Sequence, residues 1–386
     1  MPTPDHALFS VVPGRAISDQ VAIPCTMMRG GTSRGPFFLR DDLPADDEAM
    51  KRVLLRVMGS PHVRQVDGIG GSDPVTSKVA MVRRSTRPGI DVDYLFAQVF
   101  VDRAFVDTSP PCGNIITAVG PFAIERGLVP GVDPETTVRI WDVNTQSVVE
   151  AVVCTPGGRV TYDGAFRIAG VDHPASPIQL DLARTAGAKT GHLFPTGQRA
   201  EEILGVPVSC VDMTMPCVFI PAEAVGKTGY ESKAELDGDA ALIARLQEIR
   251  VVAGARMGLG DVRELVIPKP VLVARPKEGG TICGRYFMPY SVATAFAVTG
   301  GTNLAVSSCI PGTVVHELAA LPEGPVREIA VEHPQGKMFA HVEIEDRGNA
   351  VTVIRASQTR NARKLFEGHV FVPASDWPAG PERDAA

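Results

Sequence analysis

The chain has 386 residues, of which 44% are hydrophobic and 21% are charged, with 38 glycines, 32 prolines and a net charge of −6. This composition is typical of a globular protein with room for two domains, and it excludes disordered, collagen-like and coiled-coil classes. The acidic balance argues against a nucleic-acid partner, and no apolar window is long enough for a membrane span.

The N-terminus and the cysteines indicate the cellular compartment and the absence of disulfides. Residues 1–19 carry no periodic pattern and lack the basic-then-apolar order of a signal peptide, which favours a cytoplasmic protein. The seven cysteines form no CxxC pair and no Cys/His cluster at zinc spacing. The sequence therefore predicts neither a disulfide framework nor a metal site.

The first third of the chain predicts a hairpin, a helix and further strands. VAIPCTMMRGG and PFFLRDDLP indicate two strands joined by a glycine turn, and an amphipathic helix is expected from Asp46 to Met58. A strand begins in VTSKVAMV, and 91–107 is typical of two alternating strands. A buried helix should follow, with Cys112 in its first turn and a kink at Gly120–Pro121.

The remainder of the chain continues this strand-rich pattern. Strands are expected in TTVRIWDV, SVVEAVVC and RVTYDGAFRIAG, and a crossing into a second domain is expected near 193–203. Next we expect a strand–turn–strand unit, a helix over 240–252 and a strand after Lys269. NLAVSSCIPGTVVHELA repeats the order of cysteine, glycine and apolar helix found at 112–126, which predicts a second helix that begins at Cys309. Alternating strands then extend to Pro373, before a frayed tail.

Three glycine-rich segments carry the candidate chemistry: MRGGTSRG, DGIGGSDPVTSKV and PPCGNI. Lys78 enters an apolar strand, where an amine is costly unless it is paired or used, although it could instead point outward from a half-exposed strand. A helix start would stabilise the thiolate of Cys112, whose alternative is an inert buried thiol. The first turn could be a carboxylate cradle or a hairpin with solvated arginines, and Lys269 could bind an anion or be solvated.

Six segments resemble the family of 2-methylaconitate cis-trans isomerase (PrpF), 4-oxalomesaconate tautomerase, aconitate Δ-isomerase and 3-methylitaconate isomerase. They are MRGGTSRGPFFL, MGSPHVRQVDGIGGSDPVTSKVA, DVDYLFAQV, CGNIITAVGPFAIERGLV, VIPK and RKLFEGHVFVP, and residues 57–129 are most similar to the tautomerase type. The resemblance implies an α+β, diaminopimelate-epimerase-like fold. Two pseudo-symmetric domains, each a curved sheet around a central helix, would face a shared cleft. They would cover 20–195, joined by the last strand at 365–373, and 196–364.

By the same resemblance, Lys78 and Cys112 are the catalytic pair of a cofactor-independent isomerase that acts on a small anionic polycarboxylate. Shifting a double bond in an unsaturated tricarboxylic acid requires removal of an allylic proton, an extended enolate and return of a proton two carbons away. We expect neutral Lys78 to be the base and Cys112 the second acid-base group. We expect the substrate to be held by Arg29, Gly31, Thr32, Ser33, Arg34, Gly70, Gly71, Ser72, Ser77, Gly113, Asn114, Lys269 and Cys309.

Other functions stay open at this point. A cis-trans isomerase would use the same deprotonation, followed by bond rotation. A two-cysteine epimerase would use Cys112 and Cys309 but would leave Lys78 idle, and a non-catalytic polycarboxylate-binding protein would show no solvent exchange at carbon. SVATAFAVTGG lacks a histidine that several relatives carry, which leaves the distal substrate contacts undefined. The resemblance also gives the expectation of a homodimer.

Overall fold

The computed structural model describes residues 16, 17 and 19–378, except 289, 295 and 349. Almost all of the arm predicted over 1–19, and the tail beyond 378, lie outside the described residues. Two compact units divide the chain. The first comprises the described parts of Met1–Asn144, Cys154–Gly164 and Asn361–Ala386, and the second comprises those of Thr145–Val153 and Ala165–Arg360. The domain bounds predicted above stay a prediction.

The first unit is built on a mixed β-sheet. Its strands are β1 (Ala16–Ile17), β2 (Gln20–Gly30), β3 (Ser33–Leu39), β4 (Lys78–Arg84), β5 (Val92–Val99), β6 (Val106–Asp107) and β7 (Glu135–Asp142). Its helices are α1 (Asp47–Met58) and α2 (Val119–Glu125), with 3₁₀ turns at Arg40–Asp42, Ile115–Ala118 and Ala374–Asp376. The predicted hairpin is present as β2–β3, which is antiparallel, while β3–β4 is parallel and β4–β5 antiparallel.

Helix α1 forms where the sequence predicted it because its signals are local. The Asp46 carboxylate accepts from the amide of Ala49 at 2.8 Å, which caps the first turn. Gly59 ends the helix in the left-handed conformation, with φ of 73°. Its apolar side packs into a core that includes Val79 and Met81 of β4.

Lys78 lies on the face of the sheet opposite to α1. Side chains alternate along a strand, so Lys78 points away from the side that Val79 and Met81 occupy. Paired residues on adjacent strands share a face. The register of β4 and β5 pairs Lys78 with Gln98, Ala80 with Phe96 and Val82 with Tyr94.

The same face is covered by the helical segment that follows Cys112. Phe37 of β3 is in register with Ala80, and its ring packs against Phe122 of α2 with centroids 5.6 Å apart. Residues Ile115–Ala118 also contact β2, β3 and β4. The lysine and the helix preceded by the cysteine therefore occupy one side of the sheet.

The prediction that Cys112 lies in the first turn of this helix is wrong. A 3₁₀ turn begins at Ile115 and becomes α-helical only at Val119, so Cys112 precedes the helix. Pro121 has no N–H to donate to the carbonyl of Thr117, which removes an α-helical hydrogen bond and favours the tighter turn before it. Instead of the predicted kink at Gly120–Pro121, the helix changes from 3₁₀ to α between Ala118 and Val119.

The second unit is also an α+β assembly. It contains β8 (Ser147–Cys154) apart from its last residue, β9 (Pro177–Asp181), β10 (Glu201–Ile203), β11 (Val206–Met213), β12 (Met215–Pro221), β13 (Lys269–Ala274), β14 (Ile282–Tyr286), β15 (Arg327–His333), β16 (Gly336–Asp346) and the first part of β17 (Val351–Pro373). Its helices are α3 (Lys233–Asp237), α4 (Ala240–Arg256) and α5 (Val298–Cys309), with 3₁₀ turns at Ala183–Thr185, Ala222–Val225 and His316–Leu318. A further 3₁₀ turn, Pro156–Gly158, belongs to the first unit, as does the rest of β17, which pairs with β2.

Helix α5 is the centre of the second unit. All twelve of its residues are buried, and it contacts β11, β12, β14, β15 and β16. The prediction of a helix that begins at Cys309 is wrong, because Cys309 is the last residue of α5. Pro311 restricts the preceding residue and ends the helix there. RVTYDGAFRIAG is also not a strand and contributes only the bridge between Phe166 and Ala175.

The two units repeat one arrangement of four strands. In the second unit β11–β12 is antiparallel, β12–β13 parallel and β13–β14 antiparallel, which is the pattern of β2 to β5. Lys78 begins the third strand of the first set and Lys269 begins the third strand of the second. In the structural repeat, Lys78 therefore corresponds to Lys269. The repeat predicted from the sequence pairs Cys112 with Cys309 instead. Among the described residues, no helix is long and apolar enough to cross a membrane.

Candidate active site

The turn of the β2–β3 hairpin lies against the segment that follows Cys112. The amide of Asn114 donates to the hydroxyl of Thr32 at 3.0 Å, and the Thr32 N–H donates back to Asn114 Oδ1 at 3.5 Å. Gly31 has φ of 51°, and a Cβ at this position would overlap Asn114 Oδ1. Only glycine admits this approach of the two segments.

The second glycine-rich segment is tied to the same hairpin. The N–H of Arg34 donates to the Val75 carbonyl at 3.0 Å, and a Cβ on Gly71 would lie 2.7 Å from a guanidinium nitrogen of Arg34. Gln65 is buried and connects the ends of this loop. Its amide donates to the Ser77 hydroxyl at 2.7 Å, and its oxygen accepts from the Ser72 N–H at 2.9 Å.

Four of the residues predicted to bind substrate are packed against, or hydrogen-bonded to, other parts of the protein. A side chain on Gly70 would overlap Gln65, the Ser72 hydroxyl donates to the Arg64 carbonyl, and the Ser77 hydroxyl is fully buried. Gly113 accepts from the Thr117 hydroxyl at 3.2 Å. Their role as substrate ligands stays a prediction.

The amine of Lys78 is held by Gln98, a residue that the sequence reasoning missed. Lys78 Nζ donates to Gln98 Oε1 at 2.6 Å, and it lies 5.1 Å from the centroid of the Phe96 ring. Gln98 is itself fixed, because its Nε2 donates to the carbonyls of Pro74 and Ser77 at 3.0 and 2.9 Å. The sequence DVDYLFAQV does contain a signal for this role. Alternation along the strand puts Gln98 on the same face as the buried residues Tyr94 and Phe96, where a polar side chain is unusual.

Strand β3 brings the lysine and the cysteine segment close together. Asn114 Nδ2 reaches the Ser33 hydroxyl at 3.5 Å, and a Cβ on Gly35 would overlap the backbone carbonyl of Lys78. Ser33 and Gly35 are two residues apart on one strand, or roughly 7 Å. Since Cys112 is two residues before Asn114, the backbone of Lys78 and the segment that carries the thiol both lie next to β3 in the first unit.

Arg29 holds the hairpin turn in place through hydrogen bonds within the protein. Its Nη1 donates to the Gly31 carbonyl at 2.7 Å and to Asn361 Oδ1 at 2.9 Å. Burial, followed by the positive charge of Arg363, lowers the pKa of its guanidinium from the ordinary value. Arg29 thus fixes the turn to β17, and direct contact with substrate stays a prediction.

Lys269 and Cys309 belong to the second unit. Lys269 is 7% exposed, and burial is the main cause that lowers the pKa of its amine to about 8. Burial raises the pKa of the Cys309 thiol, which lies at the C-terminal end of α5. That position does not offer free helix amides to a thiolate, which removes the reason for pairing Cys309 with Cys112. Within the described chain, no group of three or more His, Cys, Asp or Glu side chains could hold a metal ion.

Comparison with known proteins identifies the family. The profile described as PrpF protein matches residues 20–373. The chain belongs to the PrpF family. It is 50% identical to (4E)-oxalomesaconate Delta-isomerase of Novosphingobium sp. (strain KA1), over 90% of this chain and 97% of that protein. It is 46% identical to 4-oxalomesaconate tautomerase of Pseudomonas putida, over 94% and 99%. The predicted family and its class of enzyme, isomerases, are confirmed.

Solved structures support the fold of this PrpF protein. The crystal structure of methylitaconate-delta-isomerase has a TM-score of 0.85 at 34% identity and covers 94% of this chain and 98% of that one. A hydroxyproline epimerase from Agrobacterium vitis has a TM-score of 0.53 at 13% identity, with 92% of both chains covered, and shows the fold alone. The predicted α+β, diaminopimelate-epimerase-like fold is confirmed.

Proposed function

We propose that this PrpF protein moves a proton and a double bond within a small unsaturated tricarboxylic acid of the 4-oxalomesaconate type. The names of two relatives at 50% and 46% identity support the substrate class. The observation that carries the catalytic assignment is the placement of Lys78 and the Cys112–Asn114 segment on one face of the sheet, joined through Ser33 and Gly35 of β3.

In the proposed reaction, Lys78 is the base. Its amine takes a proton from the allylic carbon, and the electron pair enters an enolate that the adjacent carboxylates and carbonyl delocalise. A proton is then delivered two carbons away from the Cys112 thiol, and the double bond shifts. The sum is redox-neutral, and proton exchange with water resets the two side chains.

Gln98 is a positioning residue in this proposal. Its oxygen accepts from the Lys78 amine, and its own amide is held by two backbone carbonyls. An amide oxygen is neutral, so it orients the amine without supplying the negative charge that would hold it as an ammonium ion. A carboxylate at this position would oppose the base role, because it would favour the charged lysine.

The polar groups around the hairpin turn would hold substrate carboxylates. Thr32 is exposed and its hydroxyl lies 3.0 Å from the side-chain amide of Asn114, so one carboxylate would meet both groups. Backbone amides and hydroxyls of this kind are suited to carboxylate oxygens. Holding the carboxylates in one plane would keep the enolate conjugated.

Proton NMR in D₂O tests the proposal. The enzyme is incubated with 4-oxalomesaconate, 2-methylaconitate, cis- and trans-aconitate and itaconates, with saturated tricarballylate as the control that has no allylic proton. We expect deuterium at carbon and a vinyl signal at a new position for the oxalomesaconate-type acid. Geometric isomers with an unmoved double bond would indicate a cis-trans isomerase, and ligand binding without any label would contradict an isomerase.

Two cysteine variants sharpen this experiment. Cys112→Ala should lower the rate of label uptake by about 10²- to 10⁴-fold, the range for loss of a positioned acid-base group. Cys154→Ala removes another half-buried thiol, from outside the proposed site, and should retain the wild-type rate. Equal rates for all three proteins would remove Cys112 from the mechanism.

A further inference from the structure

Among the residues that the structure describes, Arg360 of the second unit has no acidic partner. It lies in β17, and its Nε is closed to solvent and has no hydrogen-bond partner in the described part of the chain. Burial lowers the pKa of its guanidinium to about 10, and no acidic group counteracts that effect. Burial of an unpaired charge is costly, and it persists in proteins mostly where the charge is used.

The neighbours of Arg360 place it beside the start of α5. Gln358, two residues earlier on the same face of β17, donates its amide to the Val298 carbonyl at 3.0 Å and to the Thr302 hydroxyl at 2.7 Å. The Gln358 side chain thus spans from β17 to the first turn of α5. Arg360 therefore points from β17 toward the segment that precedes this helix.

His333, the titratable group whose pKa responds to the charge of Arg360, supplies no negative charge. The pKa of His333 is lowered to about 4, first by burial and then by the charge of Arg360, so this imidazole is neutral at neutral pH. Arg285 contributes to the same effect. Glu332, which precedes His333 in the sequence, already has hydrogen-bond donors for its carboxylate. Its oxygens accept from the Tyr230 hydroxyl and from three backbone amides.

We propose that Arg360 binds a carboxylate group of a small polycarboxylate in the second unit. A guanidinium offers a planar fork of N–H donors that fits a carboxylate in a bidentate manner. The side chain is half-buried, so an anion can reach its outer nitrogens while Nε remains enclosed. Only the choice of ligand class rests on the proposed function.

The unpartnered Gln358 Oε1 defines the competing explanation. This oxygen is buried on the same strand face as Arg360 Nε, and no described residue hydrogen-bonds to it. A water molecule bridging these two atoms would satisfy both without any ligand. The two explanations differ in whether an anion gains affinity from the guanidinium.

Binding of tricarballylate and malonate to the full chain tests the proposal by isothermal titration calorimetry at constant ionic strength. Arg360→Met removes the charge at similar volume, Arg360→Lys retains it without the fork, and Arg355→Met is the matched control. Arg355 is in the same strand, on the other face, and its Nε donates to the Ser357 hydroxyl at 3.1 Å. Circular dichroism and a thermal melt establish that each variant is folded.

We expect Arg360→Met to weaken binding by about tenfold to a hundredfold, the range for a charge-assisted contact. Arg360→Lys should fall between it and wild type, and Arg355→Met should bind as wild type does. Unchanged affinity of Arg360→Met, or no binding of either probe to wild type, would overturn the proposal. If Arg360→Met does not fold, Arg360→Lys binding at wild-type affinity would overturn it. The readout involves no turnover, so it is independent of failure at Lys78 or Cys112.

Discussion

The buried amine of Lys269 makes a quantitative prediction for stability. The pKa of Lys269 is lowered from 10.5 to about 8, mainly because burial disfavours the ammonium, and the side chain is 7% exposed. The unfolded chain therefore binds more protons than the folded chain between about pH 8 and 10.5. The folded state carries the full cost of the buried ammonium below pH 8, and the cost disappears as the pH rises to 10.5.

The magnitude follows from the two pKa values. At about 1.4 kcal/mol for each pH unit, the difference between 10.5 and about 8 corresponds to up to about 3 kcal/mol. Lys269→Met keeps the length of the side chain and removes the charge. The variant should therefore have a free energy of unfolding up to about 3 kcal/mol above wild type at pH 7, and the gap should close toward pH 10.5.

Urea unfolding of both proteins at pH 7, 8, 9 and 10 measures this gap, and groups other than Lys269 cancel in the difference. Lys337→Met, at a partly exposed lysine, is the control and should show no comparable gap. A gap that is independent of pH, or a wild type more stable than Lys269→Met at pH 7, would refute the reasoning.

Three substitutions in the first unit have defined outcomes. Gly31→Ala should lose about 1 kcal/mol or more in urea unfolding and most turnover, because of its φ of 51° and the overlap with Asn114; wild-type stability would contradict this. Gly35→Ala should lower the melting temperature by separating β3 from Lys78, whereas Gly368→Ala, with open space around it, should not. Tyr94→Phe removes a buried hydroxyl that has no hydrogen-bond partner among the described residues, and it should raise the free energy of unfolding by about 1 kcal/mol; a loss of stability would mean that the hydroxyl is bonded.

Elements with local signals were predicted correctly from the sequence. The α1 helix has its cap at Asp46, its stop at Gly59 and an apolar stripe between them. The β2–β3 hairpin has its glycines at the turn. The family resemblance supplied the fold class and the class of enzyme, because six motifs spread over the chain are more specific than any one of them.

Features that depend on distant residues were not predicted. RVTYDGAFRIAG alternates as a strand does, but a strand needs a partner that the local pattern does not specify. The helix starts near Cys112 and Cys309 were placed wrongly because Pro121 and Pro311 act on residues before them. Gln98 and Arg360 become candidates only through cross-strand register and burial, which a single sequence does not contain.

The central claim is that the amine of Lys78 removes a proton from carbon. The direct measurement is the rate of deuterium incorporation into an oxalomesaconate-type substrate in D₂O by wild type, Lys78→Ala and Lys51→Ala, whose lysine lies on α1 and pairs with Glu48. We expect a loss of about 10²- to 10⁴-fold for Lys78→Ala and a wild-type rate for Lys51→Ala. Incorporation by folded Lys78→Ala at the wild-type rate would contradict it.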